Sequence, residues 1–174
     1  MLDYQKQNCD LTLREGISIY HSSFPDGKKI YKDKSEKKIW SSHDATHVIF
    51  GMDVSLEEEA ILDTWTIWGT DISLSHFLSY IKLPELKELQ NKLLSEVKIS
   101  GFLKLYKNVF ITKIKVLKRA WKMKKKWPYE FPNEFYDRKI NDLRKEYGIS
   151  ILKPEEKEFQ KLIWSGAIEG NFNA

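Results

Sequence analysis

Two histidines stand four residues apart in His43-Asp44-Ala45-Thr46-His47. On a helix, positions i and i+4 project from one face about one turn apart, the separation at which two imidazoles share a metal ion. Asp44 lies about 100° round the helix from His43. It is a further ligand if the helix is in its first turn, or else a group that orients an imidazole. Glu57-Glu58-Glu59 follow the short segment Gly51–Val54, which can turn an acid of the next helix back toward the pair. Two histidines and a carboxylate with an open position are the usual arrangement of a catalytic divalent ion, because the vacancy admits water or substrate. A plainer reading fits the same residues: a surface helix, with acids in first turns that complement helix dipoles.

Helices must position these side chains, and the pattern supplies them. Ser42–Phe50 reads as a short helix with Ser41 or Ser42 as N-cap and Gly51 as C-cap. Ser55-Leu56-Glu57-Glu58 has the form of a capping box, so a second helix begins there and runs through Trp65 or Trp68. Upstream, Leu11–His21 is weakly periodic and helical, ending before the Phe24-Pro25-Asp26-Gly27 turn, and Lys28–Lys38 reads as an exposed loop. Downstream, a helix is expected over about Ser73–Lys82. Pro84 opens another, with Leu86, Leu89, Leu93, Leu94 and Val97 on one face. Gly101 precedes the longest candidate, Phe102–Lys126. After the turn WPYEFPNE, Phe135–Tyr147 is helical with Gly148 as its stop, and Pro154 starts a last helix reaching about Trp164. The β-branched patches Ile17–Tyr20 and Val109–Lys115 fall inside helical periodicities. The expected fold is an all-α, single-domain helical bundle with a metal site between two consecutive helices.

Composition narrows the class. At 174 residues the chain suits one compact domain, and 6 Trp, 8 Tyr and 9 Phe give it a core to bury, which excludes a disordered chain. A lone Cys9 excludes an intrachain disulfide and a multi-cysteine zinc site. No apolar run approaches the ~18–20 residues of a membrane span. Asp3, Asp10 and Glu15 near the start argue against a secretory signal or a transit peptide, so a cytoplasmic protein is expected. The formal net charge is +4, yet Lys98–Lys126 holds eleven basic residues and no acid. The rest of the chain is therefore acidic. A basic pole of this kind favours an anionic surface.

The interval is more specific than the composition: eleven residues separate His47 from Glu59, giving H-D-x-x-H-x11-E. This stretch, SSHDATHVIFGMDVSLEEEAILDTW, resembles the coenzyme Q (ubiquinone) biosynthesis protein 4 family, whose signature metal motif has that form. A looser similarity covers Lys124–Ile149, KKKWPYEFPNEFYDRKINDLRKEYGI, where an aromatic-rich turn leads to a helix ending in L-R-x-E-x-G-I. The run before the His-Asp pair, KDKSEKKIWSS, departs from the Arg/Tyr-rich pattern of the family. The resemblance implies an all-α fold with His43, Asp44, His47 and Glu59 as metal ligands, Glu59 and Asp44 being also the candidate catalytic groups. It implies zinc, with manganese, cobalt or ferrous iron compatible with the same ligand types. It further implies a metal-dependent lyase or oxidative decarboxylase that removes the ring carboxylate of a polyprenylated precursor at the membrane surface, alongside other ubiquinone-biosynthesis proteins and as a possible homodimer. A prenyl-lipid-binding scaffold is the competing expectation. An HD-type phosphohydrolase, using His21 as the upstream histidine, ranks below both.

The long basic helix carries Lys104, Lys107, Lys115, Lys118, Arg119 and Lys122 as candidate anion-facing residues, opposite an apolar side of Phe102, Leu105, Tyr106, Val109, Val116, Leu117 and Ala120. An anionic lipid surface is the functional reading and a solvated face the plain one; no nucleic-acid-binding motif accompanies the lysines. The six tryptophans are expected in the core, with Trp65 and Trp68 also able to line a lipid pocket because they share a helix with Glu59. His21 and His76 read as isolated, non-ligating histidines.

Overall fold

A computed structural model describes residues 1–23, 34–73, 75–76, 78 and 84–159. Five α-helices organise these residues: α1 (Leu13–Ser22), α2 (Lys34–Phe50), α3 (Leu56–Gly69), α4 (Pro84–Trp121) and α5 (Ile140–Tyr147). Short 3-10 turns occur at Asp3–Gln5, Asn133–Asp137 and Pro154–Glu156. Among the described residues there is no strand, only the isolated bridges Thr12–Lys139 and Thr70–Trp127. The fold is all-α, as expected from the periodicity.

α1 packs on α2, and α3 packs mainly on α4. The α1–α2 contact is close because Gly16 has no side chain: a Cβ there would stand 2.6 Å from Val48 Cγ1 and 2.8 Å from Ile140 Cδ1. Thr12 starts α1 with a full capping box, its Oγ1 accepting from the Glu15 N–H while Glu15 accepts from the Thr12 N–H. The core runs from Tyr4 through Leu13, Ile49, Phe50 and Ile61 to Leu143 and Leu152. Trp127 sits in an aromatic cluster with Phe131, Phe135 and Tyr147, ring centroids 5.2–5.8 Å away.

Several boundaries differ from expectation, each for a local reason. α2 begins at Lys34, not near Ser42, because Lys34–Lys38 is polar but made of residues that tolerate a helix. Ser55 is the N-cap of α3, but its hydroxyl donates to Asp53 Oδ1 at 2.5 Å, and Glu58 accepts from the Asp53 N–H at 2.7 Å. Glu58 thus accepts from an N–H two residues upstream of the N-cap, and the Ser55 N–H goes to Asp53 Oδ1 instead. The long helix is two helical segments broken at Lys98, at φ 58° and ψ 170°, so the expected division before Phe102 is present but falls three residues ahead of Gly101, which is itself helical. It ends at Trp121 rather than Lys126, since Lys124 N–H bonds the Tyr147 carbonyl and Trp127 N–H the Gly69 carbonyl. The expected helix Phe135–Tyr147 is split into a 3-10 turn and α5. Between them the backbone bonds the N-terminal segment instead, through Leu13 N to Arg138 O and Ile140 N to Leu11 O. Gly148 ends α5 at φ 70°, as a left-handed cap that any Cβ would bring to 2.9 Å from Lys124 N. Pro154 opens only one 3-10 turn, with residues 157–159 non-helical; the rest of that expected helix, like most of Ser73–Lys82, lies outside the described residues.

Candidate metal centre

His43 and His47 occupy the last two turns of α2, ring centroids 4.7 Å apart. Gly51, at φ 69°, stops the helix, and Met52 N–H closes it on the His47 carbonyl at 2.8 Å. The chain reverses within residues 51–55, so the first turn of α3 faces back on the pair. Of its three acids, Glu59 makes the approach. Its Oε1 lies 3.0 Å from His47 Nε2 and its Oε2 3.7 Å from His43 Nε2. Ligand atoms of all three residues fall within 4.8 Å of one another. Tetrahedral coordination at about 2.0–2.2 Å separates neighbouring ligand atoms by about 3.3 Å, between the two spacings observed.

The chemistry of the cluster also fits an ion. Both ring nitrogens of His47 are buried without a hydrogen-bond partner among the described residues, although Glu59 is at contact distance from one of them. Ligand atoms from three residues drawn together in this way are what a shared cation requires. The Tyr20 ring stacks on His47 at 4.6 Å and holds it in place. The His47 side chain is wholly buried and that of His43 12% exposed, whereas that of Glu59 is 38% exposed. The centre is therefore closed on the α2 side and open past the carboxylate, where an exchangeable position would lie.

Charges around the triad are strongly coupled. Burial disfavours a charged His43, but Asp44 and Glu59 outweigh it and raise the imidazole to about 10. Burial likewise works against the Glu59 anion, yet His47 and His43 hold its carboxyl well below the usual range. One turn further along α3, burial and the Glu59 charge push Asp63 up to about 6, with Lys113 acting the other way. Lys113, on α4, donates to the Ala60 carbonyl at 2.7 Å and lies 4.9 Å over the Tyr106 ring. Asp63 and Lys113 were not singled out in the sequence. The i, i+4 relation of Asp63 to Glu59 was the signal available for the first; for Lys113 it was a charge falling on the otherwise apolar side of the long helix, and only packing brings that side to α3.

Asp44 does not join the triad. Its Oδ2 pairs with His21 Nε2 at 2.7 Å and its Oδ1 lies 3.8 Å from His43 Nδ1. Glu58 is spent on structure: besides Asp53, it pairs with Lys157 Nζ at 2.9 Å. Trp65 is fully buried and stacks on Phe50 at 4.4 Å, so it is core and not pocket lining, while Trp68 stands on the outer face, edge-on to an exposed Trp121. Trp127 is buried as expected, and the side chains of Trp40 and Trp164 lie outside the described residues. Of the basic candidates, Lys104, Lys107 and Lys118 on α4 and Lys122 just past its end are exposed, whereas Arg119 and Lys115 face Glu156 at 2.7 and 3.7 Å.

One residue essential to the site's support carried no chemical signal beyond its place in L-R-x-E-x-G-I. Arg144 is fully buried on α5 and donates to five carbonyls: Tyr4, Lys6, Gln7, Val48 and Ile49. Two of these are C-terminal carbonyls of α2, which a helix end leaves unsatisfied. The His-bearing helix is thus tied at its end to both the N-terminal segment and α5.

The chain matches no protein-family model, no curated protein and no solved structure.

Proposed function

We propose that this protein holds a divalent metal ion, zinc by preference, between His43, His47 and Glu59, and uses it in ubiquinone biosynthesis on a polyprenylated aromatic-ring acid at a membrane surface. The observation that carries this reading is the convergence of ligand atoms of His43, His47 and Glu59 within 4.8 Å of one another, with His47 Nε2 3.0 Å from Glu59 Oε1 and the Glu59 side chain partly exposed. The interval H-D-x-x-H-x11-E and its resemblance to the coenzyme Q biosynthesis protein 4 family supply the reaction class: loss of the ring carboxylate, coupled to hydroxylation. When bound, a divalent ion supplies a positive charge that stabilises negative charge on a substrate carboxylate or phenolate. The chain does the rest. Two imidazoles from one helix face fix the ion's position, and Glu59 lowers the net charge of the centre. The exposed flank of Glu59 is the side from which a ring acid would approach, and Asp63, raised by burial and the Glu59 charge, is the neighbouring group able to hold a proton.

A membrane-dissolved substrate requires a docking face, and α4 offers one. Ile99, Leu103, Tyr106, Phe110 and Trp121 are exposed and recur at helical spacing along one stripe. Lys104, Lys107 and Lys118 flank it. Apolar side chains bordered by lysines suit an anionic lipid interface. No described helix is long and apolar enough to cross a membrane.

Elemental analysis of protein purified without added metal tests the first half of the reading; one ion per chain is expected, and none would overturn it. Glu59→Gln tests the second. A ligand costs at least as much as an outer-shell partner, so zinc affinity should fall by about 100-fold or more. Lost turnover with the fold retained supports catalysis. A lower melting temperature with unchanged pathway flux would make the ion structural and the protein a lipid-binding scaffold.

A further inference from the structure

His21 stands alone in the sequence but not in the fold. It lies in the last turn of α1 and sets Nε2 2.7 Å from Oδ2 of Asp44. The Asp44 side chain is almost wholly buried, and its other oxygen lies 3.8 Å from His43 Nδ1. Across the same imidazole, Nε2 faces Glu59 Oε2 at 3.7 Å. One carboxylate therefore stands between two histidines, and the second of them belongs to the metal cluster. At 3.8 Å the carboxylate does not hydrogen-bond the ring, so it acts through charge. A negative oxygen beside Nδ1 favours the tautomer with its proton there, leaving the Nε2 lone pair for an ion. A buried carboxylate needs partners to hold it in place. The α1 donor reaches Asp44 from a rigid element, because the Gly16 contact seats α1 directly on α2.

We propose that His21 is a positioning residue of the metal centre, holding Asp44 so that this carboxylate orients His43 toward the ion. The inference rests on the metal reading above but concerns a residue outside the H-D-x-x-H-x11-E interval. It also assigns Asp44 to orientation and not to coordination.

The test uses the full-length chain, with zinc affinity measured by chelator competition, the visible spectrum of the cobalt-substituted protein, and melting of the metal-free form. Outer-shell partners of a ligating histidine are worth about 10- to 100-fold in metal affinity. His21→Leu should lose that much and shift the cobalt bands. His21→Gln, which retains an N–H donor near the position of Nε2, should recover to within about threefold. Asp44→Asn should match His21→Leu, and the double variant should be no worse than either single one. If His21→Leu does not fold, Asp44→Asn against His21→Gln decides: a loss in the first with affinity kept in the second supports the proposal, and equal affinities overturn it. A wild-type chain that binds no zinc overturns the metal reading and this proposal together. One ion per chain with His21→Leu unaltered in affinity and spectrum overturns this proposal alone, as does a second ion lost on replacing His21, which would make His21 a ligand.

Discussion

Burial between α2 and α3 disfavours a charged His43, yet the Asp44 and Glu59 carboxylates beside it raise the imidazole to about 10, so the metal-free ring carries a proton at neutral pH. A metal ligand must shed that proton. Zinc titration at pH 7.5 in two buffers of different ionisation enthalpy should therefore show release of about one proton per ion; equal apparent enthalpies in the two buffers would count against it. The same shift fixes a sign for stability. A histidine whose folded pKa is raised above the ordinary 6.5 stabilises fully below that value, and the contribution is lost as pH rises through about 10. The melting temperature of the metal-free protein should fall across that window. Arg144 poses the opposite problem, a buried cation with no carboxylate partner among the described residues. Its burial lowers the guanidinium to about 10, but five carbonyls accept from it. Arg144→Met leaves several of those carbonyls buried without a donor, at about 1–3 kcal/mol each for the worst placed. A loss of at least about 3 kcal/mol is expected in chemical denaturation, and a loss under 1 kcal/mol would contradict the account.

Helix packing decides where these residues meet, and α1 on α2 is the most sensitive contact. Ala is normally better than Gly inside a helix by roughly 0.5–1 kcal/mol. At Gly16 the added Cβ would meet Val48 Cγ1 at 2.6 Å and Ile140 Cδ1 at 2.8 Å, so overpacking at about 1–3 kcal/mol should win. Gly16→Ala is predicted to lower the melting temperature and to weaken metal binding, because moving α1 displaces Tyr20 from His47 and His21 from Asp44. An unchanged or raised melting temperature would show that α1 can shift freely. The second sensitive element is the turn between α2 and α3, where Asp53 gathers the Ser55 hydroxyl and Glu58 its backbone N–H. That knot fixes the angle at which Glu59 returns to the histidines.

Across the whole molecule, the eleven basic residues of Lys98–Lys126 are not one uniform field. Arg119 and Lys115 are turned to Glu156, Lys113 to the α3 backbone, and Lys124 and Lys125 to α5, and of the six exposed lysines that remain Lys104, Lys107 and Lys118 lie beside the exposed apolar stripe. The two parts of this face give separable signatures. On the proposed lipid-docking reading, the wild-type chain binds vesicles containing phosphatidylserine and Lys104→Glu with Lys107→Glu removes most of that binding, at about 1 kcal/mol per lysine removed and more for reversal; no wild-type binding would overturn that reading. Leu103→Ser with Phe110→Ser should weaken binding in high salt as well, because buried apolar area is not screened. Co-sedimentation at two salt concentrations reads both. Since these side chains are exposed, neither pair should alter the melting temperature by more than a few degrees.

The helical class, the i, i+4 histidines and the presence of an acid among Glu57–Glu59 able to return to them were legible from residue spacing, because helix geometry converts sequence interval directly into direction, whereas the choice of Glu59 among the three came from the resemblance. The same geometry located Gly51 and Gly148 as stops, each with positive φ. What spacing could not show was everything that depends on which helix lies against which. Asp44 faces His21 because α1 crosses α2 at Gly16. Trp65 is core and Trp121 is not, because α3 and α4 bury only one stripe of each other and residues about 120° round α4 are left outside. Arg144 serves the histidine-bearing helix from nearly one hundred residues away, at a distance of 2.9 Å from both Val48 and Ile49 carbonyls. Local spacing is written along one chain, whereas these contacts are chosen by the mutual fit of segments far apart in it, and only the folded structure records that choice.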